Sequence, residues 1–424
     1  MNKNQFNNPL FAIFLAFIFV IIISQFLNGV NIDKVAEVES NNSGTTFYQD
    51  TTGLINVPLS GNLSQMKYFF DALKHSGNSQ VRIAHYGDSG LLGDMYSSKI
   101  REDLQKQFGG NTVGFIPIVS DDIYMRSTIK QSFSNDWETI SVLTANPHNL
   151  PIGISGFVSI PKGLSWVRYA TTVWHPYLKN FSTVILFYSN AKYSSIKYSF
   201  NDSTEQSINL NPGSNVQELI LSTPHGNASS IKITTTQIDQ ACFYGVSLES
   251  GNGVYVDNYP WKGNTGLGIR SLPKSSLIQF NKLLNYKLII LSFGAVEALA
   301  FHSKDDSWFE RQAINIIVRL KSLFPETSIL INGVSDHSIK VGTKYVTNPR
   351  VPEMNNILFE VAAKTGITYW DTFNAMGGYN SMAKWVNANP PLGAFNYGHL
   401  SELGAEQIGD MLAKALIDAY RSYN

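Results

Sequence analysis

The segment Val81-Arg82-Ile83-Ala84-His85-Tyr86-Gly87-Asp88-Ser89 constrains this chain most. A β-forming, largely apolar run stops at a Gly-Asp-Ser turn, and a helix-compatible stretch from Gly93 to Phe108 follows. A strand that hands over to a helix is half of a βα unit, and such units assemble into parallel sheets covered by helices. Open sheets of this kind carry their chemistry at the C-terminal ends of the strands. Ser89 is therefore the leading nucleophile candidate, although Gly-Asp-Ser alone also makes an ordinary turn and N-cap.

The same alternation returns in the second half. Val254 to Asn258 reads as a strand, followed by the Gly-rich Gly263-Asn-Thr-Gly266. Lys287 to Gly294 is continuously apolar, as expected of a strand buried on both faces. A helix from Trp308 to Phe324, stopped by Pro325, leads to the strand Ser328–Gly333, and a helix from Val351 to Thr365 precedes Ile367–Asp371. A last helix opens at Ser401 and runs to about Tyr420. Before the first strand, Leu63, Met66, Phe70 and Leu73 mark an amphipathic helix over Ser60–Lys74.

Between these halves the period changes. Short alternating runs near 165–173, 182–188, 195–200, 217–221 and 230–236 are separated by Asn, Gly, Pro and Ser clusters, the pattern of an all-β sandwich or jelly roll. The fold class is thus α/β, a doubly wound parallel sheet with an inserted β-sandwich and an N-terminal transmembrane helix. The expected organisation is 1–30 cytoplasmic tip and anchor, 31–55 tether, 56–131 first part of the α/β domain, 132–250 sandwich, and 251–424 second part.

The anchor rests on the apolar run from Pro9 to Leu27, preceded by Lys3, at about 19 residues just enough to span a bilayer. No small-x-small site follows it, which favours a retained anchor over a cleaved signal peptide and places the rest on the extracytoplasmic side. The polar stretch Asn31–Thr52 reads as the tether. Lys plus Arg balances Asp plus Glu at 32 each, so no basic field exists to gather nucleic acid. With one cysteine, Cys242, neither a disulfide framework nor a Cys-rich metal site is possible, and Cys242 reads as a buried small hydrophobe. His85, His175, His302 and His337 form no ligand-spaced pair with acids and read as surface or turn histidines, so neither metal nor cofactor is expected. The 20 Tyr, 25 Phe and 7 Trp suit sandwich cores and sugar-stacking surfaces, with Trp174-His175-Pro176-Tyr177 the exposed candidate. Asn374–Trp385, rich in Gly and Met, reads as a substrate wall or a tight connection.

Four motifs fall in order: Gly87-Asp88-Ser89, Lys262-Gly263-Asn264, Gly294-Ala295-Val296-Glu297, and Asn396-Tyr397-Gly398-His399 just before the last helix. In this order the chain resembles the SGNH (GDSL-type) hydrolases over roughly residues 60 to 420. Ile83–Gly110, Tyr255–Gly266 and Ala375–Ile408 are similar to its membrane-tethered bacterial branch, which includes peptidoglycan and polysaccharide O-acetylesterases and carries an inserted sandwich resembling a carbohydrate-binding module. The resemblance implies Ser89 as nucleophile, His399 as general base, and the Ser89 and Gly263 N–H groups as oxyanion donors. It implies removal of an O-acetyl or similar acyl group from an acylated polysaccharide or peptidoglycan. Two positions depart from the pattern. Val296 stands where the family has an oxyanion-donating Asn, and Asn396 where it has the Asp that orients the histidine. Asn396 could still accept the imidazole N–H through its amide oxygen, and Glu297 or Asp336 could serve as acid partners. A catalytically degenerate glycan-binding domain and an O-acyltransferase using the same serine are the other readings.

Overall fold

The computed structural model describes residues 48–49, 55–120, 122–299 and 306–423. The apolar run at 9–27, the tether and His302 lie outside them. Among the described residues no helix is long and apolar enough to cross a membrane.

Five parallel strands form the central sheet: β1 (Gln80–Gly87), β2 (Gly253–Pro260), β3 (Tyr286–Ser292), β4 (Ser328–Asn332) and β5 (Thr368–Trp370), in the order β2-β1-β3-β4-β5. Ser60–Gly61 closes the β5 edge in the antiparallel sense. The order reverses between β1 and β3, and at that switch point the loops leave a crevice beyond the strand ends. Helices α1 (Lys67–Lys74), α2 (Met95–Phe108), α3 (Lys274–Leu284), α4 (Asp306–Leu323), α5 (Arg350–Thr365) and α6 (Glu402–Tyr423) accompany the sheet. Val81, Ile83, Val254, Val256, Leu288, Ile290 and Leu330 point to one apolar layer with Met95, Ile100, Leu104, Ile408 and Leu412. Ala84, Tyr259, Ile289, Ile329 and Ile331 point to another with Phe280, Phe309, Ile317 and Leu358. Both faces of each strand are covered, which is why these strands read as unbroken apolar runs.

Local readings differ from the structure at several places. The expected helix over Ser60–Lys74 is a two-residue strand, a 3-10 turn at Leu63–Met66 and only then α1; Leu63 is 44% exposed. The helix expected from Gly93 starts at Met95, because Gly93 (φ +77) and Asp94 (φ +66) turn the chain through left-handed conformations. The structure adds helix α3 and a hairpin, Ser338–Val341 with Lys344–Thr347, to the elements expected.

Two antiparallel sheets fill the β1–β2 crossover. One is ordered Gln217–Ser222, Thr183–Ser189, Cys242–Glu249, Phe157–Pro161, Trp137–Ser141, with Gly114–Pro117 also paired to Cys242–Glu249. The other is ordered Gln206–Asn209, Ser195–Phe200, Ser230–Gln237, Trp166–Thr171, Ile129–Phe133. The antiparallel region therefore begins ahead of residue 132. Val184, Leu186 and Val246 of the first sheet meet Val167, Ile196, Ile231 and Ile233 of the second in one core. Its outer neighbours Phe187 and Tyr244 pack on Phe280 of α3, with ring centroids 5.9 and 5.0 Å apart. Arg82 of β1 pairs with Asp257 of β2 at 3.0 Å and with Glu249 of the sandwich, all three essentially buried. Cys242 is buried in the same region.

Candidate active site

The turn after β1 is built by its own polar side chains. Asp88 accepts the Gly90 N–H at 2.9 Å, capping a short 3-10 helix that opens at Ser89. Burial pushes the Asp88 carboxyl up to about 6. Gly87 is tightly enclosed, since a Cβ there would lie 2.7 Å from the Leu91 side chain and 2.9 Å from the Ser292 carbonyl.

Beneath the turn lies a polar chain that joins four strand ends. Ser97 of α2 donates to Asn258 Oδ1 at 2.9 Å, so it accepts from His85 Nδ1 at 2.8 Å. His85 Nε2 is then left to accept from Ser292 Oγ at 2.8 Å. Asn332 Nδ2 reaches Ser292 Oγ at 2.8 Å and the Tyr96 hydroxyl at 2.9 Å, and Asn258 Nδ2 holds the Leu91 carbonyl at 3.0 Å. His85 is fully buried, which corrects its reading as a surface histidine, and burial pushes it down to about 3. It stays neutral and acts as a brace. His175 bonds Ser127 at 3.0 Å, while Trp174 beside it is 75% exposed.

His399 comes from the other end of the chain. A tight loop, closed by a Gly393–Leu400 bridge and by the Ala394 N–H on the His399 carbonyl at 2.8 Å, presents the imidazole ahead of α6. His399 Nε2 lies 3.4 Å from Ser89 Oγ, across 310 positions of sequence. Gly263 stands in the loop after β2, whose Trp261 N–H bonds the Gly87 carbonyl at 2.7 Å. It is exposed at φ +71, with nothing within 4 Å of where a Cβ would be, so a ligand can approach its main chain closely. Among the described residues neither the Ser89 nor the Gly263 N–H has a hydrogen-bond acceptor.

Asn396 touches His399, but with the opposite polarity to the one expected. Its Oδ1 accepts the Gly398 and His399 backbone N–H groups, each at 3.1 Å. That leaves Nδ2 facing His399 Nδ1 at 2.9 Å. An amide NH2 can only donate, so Nδ1 must be the acceptor and the ring proton of neutral His399 sits on Nε2, toward Ser89. The amide oxygen is not available to the imidazole, because two fixed backbone donors claim it. Asn396 itself is the partner of Nδ1. Asp336 is buried elsewhere, accepting the Met382 N–H at 2.8 Å and the Ser381 hydroxyl at 3.3 Å. These bonds tie Ser381 and Met382, within Asn374–Trp385, to Asp336. Val296 is half-buried in the short helix Ala295–Leu299 at the end of β3.

The sheet order, the Ser turn after β1 and the histidine loop before the last helix define an SGNH/GDSL hydrolase-like fold. A solved peptidoglycan O-acetylesterase is similar at 21% identity, over 86% of this chain and 99% of that one, with a TM-score of 0.69. A family two carbohydrate esterase from Cellvibrio japonicus (9% identity; 69% of this chain, 100% of that one; TM-score 0.30) and a lipase/acylhydrolase from Enterococcus faecalis (19%; 39% and 76%; TM-score 0.29) are also matched, with scores too low to bear on the argument. No protein-family profile matches the chain. No curated protein does either.

Proposed function

We propose that this protein is a serine esterase that removes O-acetyl groups from an acetylated cell-envelope or extracellular polysaccharide, held at the extracytoplasmic membrane face by residues 9–27. The observation that carries the reading is the 3.4 Å approach of Ser89 Oγ and His399 Nε2 at the switch point of the sheet. The likeness to a peptidoglycan O-acetylesterase structure over nearly its whole length supports it.

In this reading Ser89 Oγ attacks the ester carbonyl while its proton passes to His399 Nε2. The oxyanion is received by the Ser89 and Gly263 N–H groups. Collapse of the tetrahedral species expels the sugar hydroxyl, protonated by His399, and leaves an acetyl-serine that water cleaves by the same steps. His399 can accept the proton only with its own proton on Nδ1, which requires the Asn396 amide to turn over. The first step is therefore slow in the resting arrangement.

That same amide orientation, together with Val296, favours a second reading in which the cleft holds acylated glycan without turning it over. Hydrolysis of p-nitrophenyl acetate by the purified protein, and fluorophosphonate labelling, separate the two. The esterase reading expects both to vanish in Ser89→Ala. Turnover that persists in that variant rejects Ser89 as nucleophile, and glycan binding with no turnover favours the second reading.

A further inference from the structure

We infer that Tyr345 is a positioning residue for His399, acting through Tyr397; this rests on Ser89 and His399 being the reacting pair. The hairpin Ser338–Val341 with Lys344–Thr347 leaves the sheet after β4 and takes no part in it. Its Tyr345 ring lies flat on the Tyr397 ring, with centroids 3.5 Å apart and planes 2° from parallel. Tyr397 is the residue between Asn396 and His399 whose backbone must reverse, and it does so at φ +58, a region bulky side chains rarely adopt.

The hairpin grips this turn at three points. The Ser338 N–H donates to the Tyr397 carbonyl at 2.8 Å. The His337 ring packs so closely on Gly398 that a Cβ there would lie 2.5 Å from it. The Tyr345 stack then covers one face of the Tyr397 ring, which is half-buried against the apolar layer that includes Ile408. At its base the hairpin is itself fixed, with the Asn380 N–H on Thr347 Oγ1 at 2.6 Å and the Thr347 N–H on Asn380 Oδ1 at 3.2 Å. The Asn396 bonds to the Gly398 and His399 N–H groups depend on the left-handed turn at Tyr397. Without the Tyr345 ring, relaxation of Tyr397 toward negative φ shifts both Asn396 and His399 relative to Ser89.

The test compares Tyr345→Ala with Tyr345→Phe, which keeps the ring. Two readouts are used: kcat and KM on p-nitrophenyl acetate, and the His399 ring signals in a long-range nitrogen–proton correlation spectrum. Loss of an aromatic contact and a displacement of about 1 Å at the base lead us to expect a fall in kcat of about tenfold or more for Tyr345→Ala, at unchanged KM. Tyr345→Phe stays within about twofold on the same grounds. The His399 signals shift or broaden only in the alanine variant. Wild-type kcat and His399 signals in Tyr345→Ala overturn the inference. A wild-type protein with no Ser89-dependent turnover counts against the esterase reading instead, and the ring spectrum still decides the role of Tyr345. Tyr345→Leu, which keeps apolar bulk without a ring, serves as the second variant and is expected to behave like alanine.

Discussion

Asn396→Asp is the most informative change the geometry suggests. In the wild type, Oδ1 holds two backbone N–H groups at 3.1 Å and Nδ2 faces His399 Nδ1 at 2.9 Å. To free the lone pair on Nε2, the amide must rotate and give up both backbone bonds. On an exposed loop each is worth roughly 0.5–1.5 kcal/mol, so the active tautomer lies about 1–3 kcal/mol uphill, a factor of about 5 to 150. An aspartate removes this conflict, because one carboxylate oxygen keeps the backbone donors while the other accepts from Nδ1–H. It also adds a negative charge beside the imidazolium that forms during attack. The reverse swap in a serine protease, a handled case of the same chemistry, lowers kcat about 10⁴-fold through the wrong tautomer, which sets the ceiling. We therefore expect kcat/KM on p-nitrophenyl acetate to rise by at least about fivefold and at most about 10⁴-fold in Asn396→Asp. A gain within twofold, in a protein whose residual activity still depends on Ser89, would refute the tautomer argument.

The remaining predictions concern other parts of the molecule. Val296→Asn, made in the Asn396→Asp background, is expected to raise the rate further by at least about tenfold, with about 10²–10³ as the ceiling for one oxyanion donor; a flat response shows that position 296 does not face the reacting carbonyl. Asp88→Asn keeps the acceptor for the Gly90 N–H and removes a carboxyl whose folded value is raised from 3.8 to about 6. The stability that accompanies the protonated form is present in full below about pH 4 and is lost as pH rises through 6, so the asparagine variant should melt higher at pH 7.5 and equally at pH 3.5, a gap on the order of 2–3 kcal/mol. Equal melting at both values excludes a buried, ionising Asp88. Arg82→Met strands Asp257 and Glu249 without their shared cation and should cost about 3–5 kcal/mol by urea titration. A loss below about 1 kcal/mol means that the trio is hydrated.

Much of the fold was legible because its signals are local. The apolar runs that became β1, β3 and β4 declare burial on both faces through composition alone, and the helices between them declare a single apolar stripe through spacing. The Gly-Asp-Ser stop after β1 likewise announces its turn within three residues. The segments that misled do so where tertiary partners outweigh local preference. Ser60–Gly61 pairs with β5 more than three hundred residues away, and this cuts short what reads as one long helix. His85 sits in one of these buried runs, but no local signal shows what it bonds, since Ser97 and Ser292 come from two other elements.

The sequence by itself determined that a serine turn follows a buried strand and that a histidine loop precedes a terminal helix, because each is written in contiguous residues. Only the tertiary structure decided that the two meet at 3.4 Å, and that a separate hairpin stacks a tyrosine on the histidine loop. It also decided which way the Asn396 amide points. Two backbone donors compete with an imidazole for one oxygen, and the outcome of such a competition depends on where the donors stand in space rather than on which residues are present.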